Sequence, residues 1–256
     1  MKLPITVCIL FKNDADRLVR TLRSLDVFEE IIAADTGSQD ESPSICRQFG
    51  AQVASLPWLG FGATRRRLFR LAKQPWILWI DTDEVLTEEL RDELLQLFAR
   101  GEPDGNAYSV NRKMNFLGRW VLHGNWFPDR NIRLFRRDVW EMDDALVHEK
   151  VTVSCPVGRL HGLLEHYSYR DREDYRNRME WYADLWAKQR FQEGKRSSRG
   201  RVLWHGFWAF ARGYFLKKGF LDGLLGLEVA SLNGWAAARK YSRLRKMTQQ
   251  VATQDH

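Results

Sequence analysis

The feature that most limits the possible folds is an alternation of short apolar runs with helical patterns in the N-terminal part of the chain. Residues 5–11 are rich in β-branched side chains and almost wholly apolar, and residues 30–34 and 76–80 are also mostly apolar. Such runs indicate strands buried on both faces of a parallel sheet. Residues 16–25 between them carry apolar positions at helical spacing, and residues 62–72 are a second helical segment. The sequence therefore predicts an α/β fold with a mostly parallel sheet.

The middle of the chain continues with helices and strands of more mixed composition. Residues 87–98 form an amphipathic helix for which Thr87 is the expected N-cap. Residues 132–135 are predicted to be an edge strand, and residues 171–190 to be a helix rich in Tyr and Trp.

Residues 192–200 are polar and basic and are the best candidate for a linker. We therefore expect a catalytic domain over residues 1–192 and a helical extension over residues 193–256. Residues 195–247 contain twelve Lys and Arg against two acids, whereas the whole chain has a net charge of +7. Basic character thus belongs to the extension, where Trp and Phe accompany it. This composition is typical of a helix on an anionic membrane surface, and a dimer contact is the alternative.

Polar side chains follow three of the predicted strands. Asn13 and Asp14 end the first, Asp35 ends the second, and Asp81 and Asp83 follow the run over residues 76–80. Because ligands of open α/β sheets bind outside the carboxyl ends of the strands, we expect these side chains around one crevice. An acidic crevice suits phosphates only when a divalent cation such as Mg²⁺ or Mn²⁺ is present.

The Asp81-x-Asp83 pair is expected to hold this cation against a diphosphate, the alternative being a solvated turn in which Asp83 caps the next helix. Asp35 is expected at the nucleobase or ribose, although it also suits a turn. Gly62 permits close approach of the backbone to a ligand, and Arg65 could reach the phosphates of a bound nucleotide. The predicted nucleotide-binding residues are Phe11, Asn13, Asp14, Asp35, Gly62, Arg65 and Asp81, and the predicted metal ligands are Asp81, Asp83 and His166.

Together these motifs resemble family 2 glycosyltransferases of the GT-A fold. The resemblance rests on residues 5–14, 31–40, 60–62 and 76–84, and residues 133–135, 147–150, 161–169 and 219–223 narrow it to lipopolysaccharide core glucosyltransferases. It covers nearly the whole chain. It departs from the family at Thr82, where relatives commonly have Ala, and at Arg66, where they commonly have Asn.

The resemblance implies an inverting transfer of glucose from UDP-glucose to the first heptose of the inner core. It also implies that Asp35 contacts the uridine and that Asp81 and Asp83 lie at the metal and diphosphate. An inverting transfer needs a general base beside the acceptor hydroxyl. Asp143, Asp144 and Glu149 are the candidates, and Glu149 is preferred because it lies in a motif of the family. His148 and His166 are candidates for a phosphate contact or a metal ligand.

Other properties limit the partners and the compartment. Three widely spaced cysteines and the lack of a signal-peptide pattern predict a cytoplasmic protein, peripheral on the inner face of the membrane, where a lipid-linked glycan would be the acceptor. No nucleic-acid recognition motif occurs. Polyprenyl phosphate, another glycan or a protein side chain is the alternative acceptor. A membrane-binding scaffold with a degenerate transferase fold is the non-enzyme alternative, and a homodimer is compatible with either.

Overall fold

The computed structural model describes residues 2–142 and 151–254, with side chains up to residue 250. The strands of this part are β1 (Leu3–Phe11), β2 (Phe28–Asp35), β3 (Gln52–Ser55), β4 (Trp76–Asp81), β5 (Glu84–Leu86), β6 (Ala107–Phe116), β7 (Arg119–Val121), β8 (Asp129–Arg136), β9 (Trp140–Met142), β10 (Val151–Val153) and β11 (Gly158–His166). The α-helices are α1 (Ala15–Arg23), α2 (Ser42–Gln48), α3 (Phe61–Phe69), α4 (Glu88–Phe98), α5 (Arg172–Gln192), α6 (Arg199–Ala211) and α7 (Gly223–Gln254). A π-helical turn (Arg212–Leu216) and a 3₁₀ turn (Gly219–Asp222) join α6 to α7.

The main sheet has a parallel part and an antiparallel part. Strands β3, β2, β1 and β4 lie side by side in that order and are parallel. Strands β8, β6, β11 and β5 continue the sheet beyond β4; β8 is antiparallel to both β4 and β6, and β5 is antiparallel to β11. The predicted α/β class is confirmed, and the apolar runs are the parallel strands.

The prediction of an edge strand at residues 132–135 is wrong. These residues belong to β8, which lies between β4 and β6 inside the sheet. The charged residue among them, Arg133, is 2% exposed and forms ion pairs with Asp81 at the end of β4 and Glu84 at the start of β5. Compensation of this charge allows the strand to occupy an interior position.

Strand β1 lies at the centre of the parallel part because its side chains pack on both faces of the sheet. Val7 and Ile9 join a core cluster that includes Leu18 of α1. Cys8, between them in sequence, points to the opposite face and joins a cluster with Phe69 of α3. Successive side chains of a strand alternate between faces, so a strand that is covered on both sides is apolar at nearly every position. The polar exception in β1, Thr6, is buried and donates a hydrogen bond to Glu30.

The chain divides into two compact units. The first contains residues 1–112 and 129–166, and the second contains residues 113–128 and 167–256. The second unit has its own apolar core, which includes Phe116, Val121, Tyr175, Leu225 and Val229. The predicted functional boundary near residue 192 stays a prediction. Among the described residues, no helix is both long and apolar enough to cross a bilayer.

Candidate active site

The carboxyl ends of β1, β2 and β4, with the loops that follow them, form a common edge that we call the rim. In the strand register Phe11 of β1 pairs with Asp35 of β2, and Leu10 of β1 pairs with Asp81 of β4. Strand β1 has its sequence neighbour β2 on one side and β4 on the other, so the chain reverses its direction of winding here. Such a switch point opens a crevice at the strand ends. The predicted convergence of polar residues at one edge is therefore present.

Hydrogen bonds tie the loop after β1 to the loop after β2. The backbone N–H of Asn13 donates to Ser38 Oγ at 3.0 Å, and Asn13 Oδ1 accepts from Gln39 N at 2.7 Å. Asp35 Oδ1 accepts from the backbone N–H groups of Gly37 at 3.1 Å and Ser38 at 2.8 Å. Asn13 has a φ of 54°, a left-handed conformation that Asn tolerates better than most residues. Asp35 thus performs the turn chemistry expected of it, and its nucleotide contact stays a prediction.

Asp14 connects the loop after β1 to the loop after β4. Its Oδ2 accepts a hydrogen bond from Thr82 Oγ1 at 3.1 Å. Thr82 is fixed further by its carbonyl, which accepts from Thr21 Oγ1 of α1 at 2.7 Å. Burial raises the pKa of Asp14, and the nearby Asp83 carboxylate adds to the rise. Thr82 therefore contributes to the rim through its hydroxyl, which the more common Ala would lack.

Asp81 lies between two buried arginines. Its Oδ1 is 2.6 Å from Arg65 Nη2 and its Oδ2 is 3.2 Å from Arg133 Nη2. Trp79 Nε1 also donates to Oδ1 at 3.1 Å, and both guanidinium groups lie over the Trp79 ring, at 4.6 and 4.3 Å from its centroid. Burial opposes the charged carboxylate, but the two arginines outweigh it and hold the pKa of Asp81 far below its usual value. Asp81 is thus ionised at neutral pH.

Glu84 forms a second layer of charge beneath Asp81. Its side chain is fully buried, its Oε1 is 3.0 Å from Arg112 Nη1 and also pairs with Arg133, and its Oε2 accepts from the backbone N–H of Asp81. Arg112 in turn contacts Asp129. Sequence reasoning did not find this cluster. The available signal is a charged residue, Arg133, between the apolar residues Ile132 and Leu134.

Asp83 pairs with a histidine from a distant strand. Strand β11 is antiparallel to β5 with His166 opposite Glu84, and this register brings His166 Nε2 to 3.3 Å from Asp83 Oδ1. Arg17 Nη1 lies 3.5 Å from the other oxygen of Asp83. Burial alone would raise the pKa of Asp83, but His166 and Arg17 outweigh it and lower the pKa.

The Asp83–His166 pair fits a divalent cation. A carboxylate oxygen and an imidazole nitrogen are ligands that Mn²⁺ accepts, and ligands at about 2.1 Å from an octahedral cation lie about 3 Å apart. The separation of 3.3 Å is close to that value. No cluster of three or more ligand-type side chains occurs in the described part of the chain, so a cation here would take its other ligands from phosphate and water. His166 Nδ1 is buried without a hydrogen-bond partner among the described residues.

The remaining predicted residues lie in different surroundings. Phe11 is 2% exposed and its ring belongs to the core, so the structure does not bring it to the rim surface. Gly62 is buried in the first turn of α3, the helix that also carries Arg65. Asp143, Asp144 and Glu149 lie outside the described residues, as does His148.

The sequence was compared with protein families, with known proteins and with solved structures. The sequence profile of glycosyl transferase family 2 matches residues 6–152. An uncharacterised glycosyltransferase of Rickettsia prowazekii is 26% identical over 98% of this chain and 91% of its own length. The lipopolysaccharide core biosynthesis glycosyltransferase LpsC of Rhizobium meliloti is 27% identical over 94% of this chain and 93% of its own length. Among solved structures, glucosyl-3-phosphoglycerate synthase of Mycobacterium tuberculosis, in complex with Mn²⁺, UDP and glucosyl-3-phosphoglycerate, is similar with a TM-score of 0.35 and 20% identity over 44% of each chain.

Proposed function

This chain belongs to glycosyltransferase family 2, and on that premise we propose that it is an inverting hexosyltransferase that uses UDP-glucose and acts on a heptose of the lipopolysaccharide inner core. Family membership rests on a match to more than half of the chain. The acceptor class is supported by the similarity to LpsC, which extends over 94% of this chain. The observation that carries the proposal is the Asp83–His166 pair beside the ionised Asp81 at the rim.

The donor would bind along the rim. Asn13 and Asp35 lie in the two loops that would contact the nucleoside, and Asp35 has a second carboxylate oxygen for a ribose or uracil donor group. Asp14, Gly62 and Arg65 would form the wall near the diphosphate. Because Arg65 is held by Asp81, its guanidinium is fixed in place before the donor arrives. A positioned cation of this kind costs little reorganisation during the reaction.

Asp83 and His166 would hold Mg²⁺ or Mn²⁺ together with the oxygens of the diphosphate. The cation, when bound, would offset the negative charge that develops on the departing UDP. Asp81 would remain with its arginines and orient the diphosphate side of the site. Arg17, on the far side of Asp83, would keep that carboxylate ionised and ready to bind.

The transfer itself requires a base. The acceptor oxygen forms a bond to the anomeric carbon, the bond from that carbon to the β-phosphate oxygen breaks, and UDP leaves with the electron pair. Glu149, or Asp144 as the second candidate, would take the proton of the acceptor hydroxyl. Attack from the face opposite the leaving group inverts the anomeric configuration.

Other acceptors remain alternatives within the same chemistry, namely polyprenyl phosphate, another glycan or a protein side chain. A lipid-linked acceptor implies work at the inner face of the cytoplasmic membrane. A scaffold with a degenerate transferase site is not favoured, because Asp81 and Asp83 are both kept ionised by specific partners.

UDP release by the purified protein tests the proposal. A panel of UDP-sugars is offered with Mg²⁺ or Mn²⁺, with and without deacylated lipopolysaccharide core. We expect acceptor-stimulated release from UDP-glucose that chelator abolishes and that Glu149→Gln reduces by about 10²–10⁴-fold. Stimulated release from a different UDP-sugar would overturn the donor assignment. The absence of release from every donor, with a folded protein, would overturn the proposed function.

A further inference from the structure

The segment over residues 203–227, in the second unit, exposes a concentration of large apolar side chains. Ten of the 17 exposed large apolar residues in the described chain fall in this short stretch. They are Leu203, Trp204, Phe207, Trp208, Phe215, Leu216, Phe220, Leu221, Leu224 and Leu227. Single exposed apolar residues are ordinary, but a concentration of this size marks an interaction site. We call these ten side chains the apolar surface.

Helix α6 has one packed face and one exposed face. On the packed face, His205 stacks on Tyr241 of α7 with ring centroids 3.7 Å apart. Gly206 allows close approach to α7, because an added Cβ there would lie 3.1 Å from Ala238 Cβ. On the exposed face, Trp204 and Trp208 stack with centroids 6.2 Å apart. No residue of α6 is fully buried. The face that carries Trp204 and Trp208 is therefore not covered by other parts of the described chain.

Exposed apolar side chains also occur in the two turns and at the start of α7. Phe215 and Leu216 end the π-helical turn and are 59% and 66% exposed. Leu221 follows in the 3₁₀ turn, and Leu224 in the first turn of α7 is 80% exposed. The apolar surface therefore consists of side chains from four consecutive helical elements, namely α6, the π-helical turn, the 3₁₀ turn and α7.

Cations accompany the apolar surface, and its single acid does not offset them. Residues 199–227 contain five Lys and Arg but only one acid, Asp222. The Asp222 side chain is 7% exposed and accepts hydrogen bonds from the backbone N–H groups of Leu122 and His123. Arg212 and Lys218 are exposed. A second copy of the chain docked symmetrically here would bring like charges together, whereas anionic lipid headgroups would complement them.

We propose that the apolar surface is a membrane-docking surface that takes an anionic bilayer, with its Trp, Phe and Leu side chains in the headgroup–acyl boundary and Arg212, Lys217 and Lys218 at the lipid phosphates. Aromatic and Leu side chains beside Lys and Arg are the composition of interfacial helices. This inference deepens the proposed function, because it rests on the acceptor being lipid-linked.

Vesicle flotation tests the proposal with the full chain. Wild type, Trp204→Ser/Phe207→Ser and Arg212→Gln/Lys218→Asn are mixed with vesicles of phosphatidylcholine alone or with half phosphatidylglycerol. Asn is chosen at position 218 because Lys218 has a φ of 57°. The matched control is Trp181→Ser/Leu185→Ser, which removes exposed apolar residues of α5 in the same unit. We expect binding to anionic vesicles that falls at least about tenfold in the first two variants and is unchanged in the control.

Two results would overturn the docking surface. One is binding to anionic vesicles that Trp204→Ser/Phe207→Ser leaves intact. The other is no vesicle binding together with concentration-dependent self-association that the same variant abolishes, which would assign the surface to a second copy.

Turnover on a water-soluble core acceptor separates this inference from the proposed function. It should be equal in wild type and Trp204→Ser/Phe207→Ser, and only turnover on vesicle-embedded acceptor should fall. If wild type binds vesicles but does not turn over the soluble acceptor, the proposed function fails and the docking surface stands.

Discussion

Replacement of Glu84 by Gln tests whether the buried arginines beneath the rim depend on one carboxylate. Glu84 is fully buried and pairs with both Arg112 and Arg133. Gln keeps the shape of the side chain but removes the carboxylate that the two guanidinium groups share, which leaves Arg133 with Asp81 and Arg112 with Asp129. Loss of one partner from a buried ion pair costs about 3–5 kcal/mol. Because 1 kcal/mol lowers the Tm of a chain of this size by about 2–4 °C, we expect Tm to fall by roughly 6–20 °C.

Thermal unfolding followed by circular dichroism at neutral pH measures this change. The control is Glu102→Gln, which removes an equal charge from a surface pair with Arg136, where Glu102 is 59% exposed. An exposed pair is worth at most about 1 kcal/mol, so the control should stay within about 4 °C of wild type. If Glu84→Gln unfolds at the temperature of the control, the buried cluster does not stabilise the fold as we argue.

Three further predictions follow from the site and the core. His166→Ala should weaken Mn²⁺ binding in the presence of UDP by at least about tenfold in calorimetry, whereas Asp26→Asn should leave it unchanged; equal affinities would contradict the ligand assignment. The folded-state pKa of Asp81 is lowered, so its contribution to stability is present above the unfolded pKa of about 3.9 and is lost as pH falls. The stability difference between wild type and Asp81→Asn should therefore shrink below about pH 4, and a constant difference would refute the shift. Burial raises the pKa of Cys46 to about 12, so maleimide at neutral pH should modify the partly exposed Cys155 first in mass spectrometry, and Cys46 only after unfolding.

The parallel part of the sheet could be predicted from sequence because each of its strands is a local signal. The run of β1 is apolar except at Thr6, because both of its faces pack in the core, and Thr6 is satisfied by its hydrogen bond to Glu30. The start of α4 could also be predicted from the sequence. Thr87 Oγ1 accepts the hydrogen bond from Leu90 N at 3.2 Å, as expected of an N-cap. Strand ends that carry Asp35 and Asp81 then met at one edge because parallel neighbours share their direction.

The charged cluster could not be predicted because its partners are distant in sequence. Arg133 and Glu84 are 49 residues apart, and Arg112 and Glu84 are 28 apart. An Arg between two apolar residues, such as Arg133, does not reveal which carboxylate compensates it, or whether any does. The antiparallel strands that bring these residues together carry mixed sequences with weak periodicity, so their order in the sheet had no local signal.

Asp81 and Asp83 differ in chemistry although they are two residues apart. Asp81 is already neutralised by guanidinium groups at 2.6 and 3.2 Å, and a divalent cation at its oxygens would have to compete with both. Asp83 faces His166, and an imidazole, unlike a guanidinium, becomes a ligand for the same cation when it is neutral. We infer that the two aspartates would have different roles: Asp83 would bind a cation, and Asp81 would hold Arg65 for a contact with the diphosphate. The positions of the two residues explain this difference. Strand β4 ends at Asp81, so the carboxylate of Asp81 belongs to the buried strand, whereas the carboxylate of Asp83 belongs to the loop that follows it.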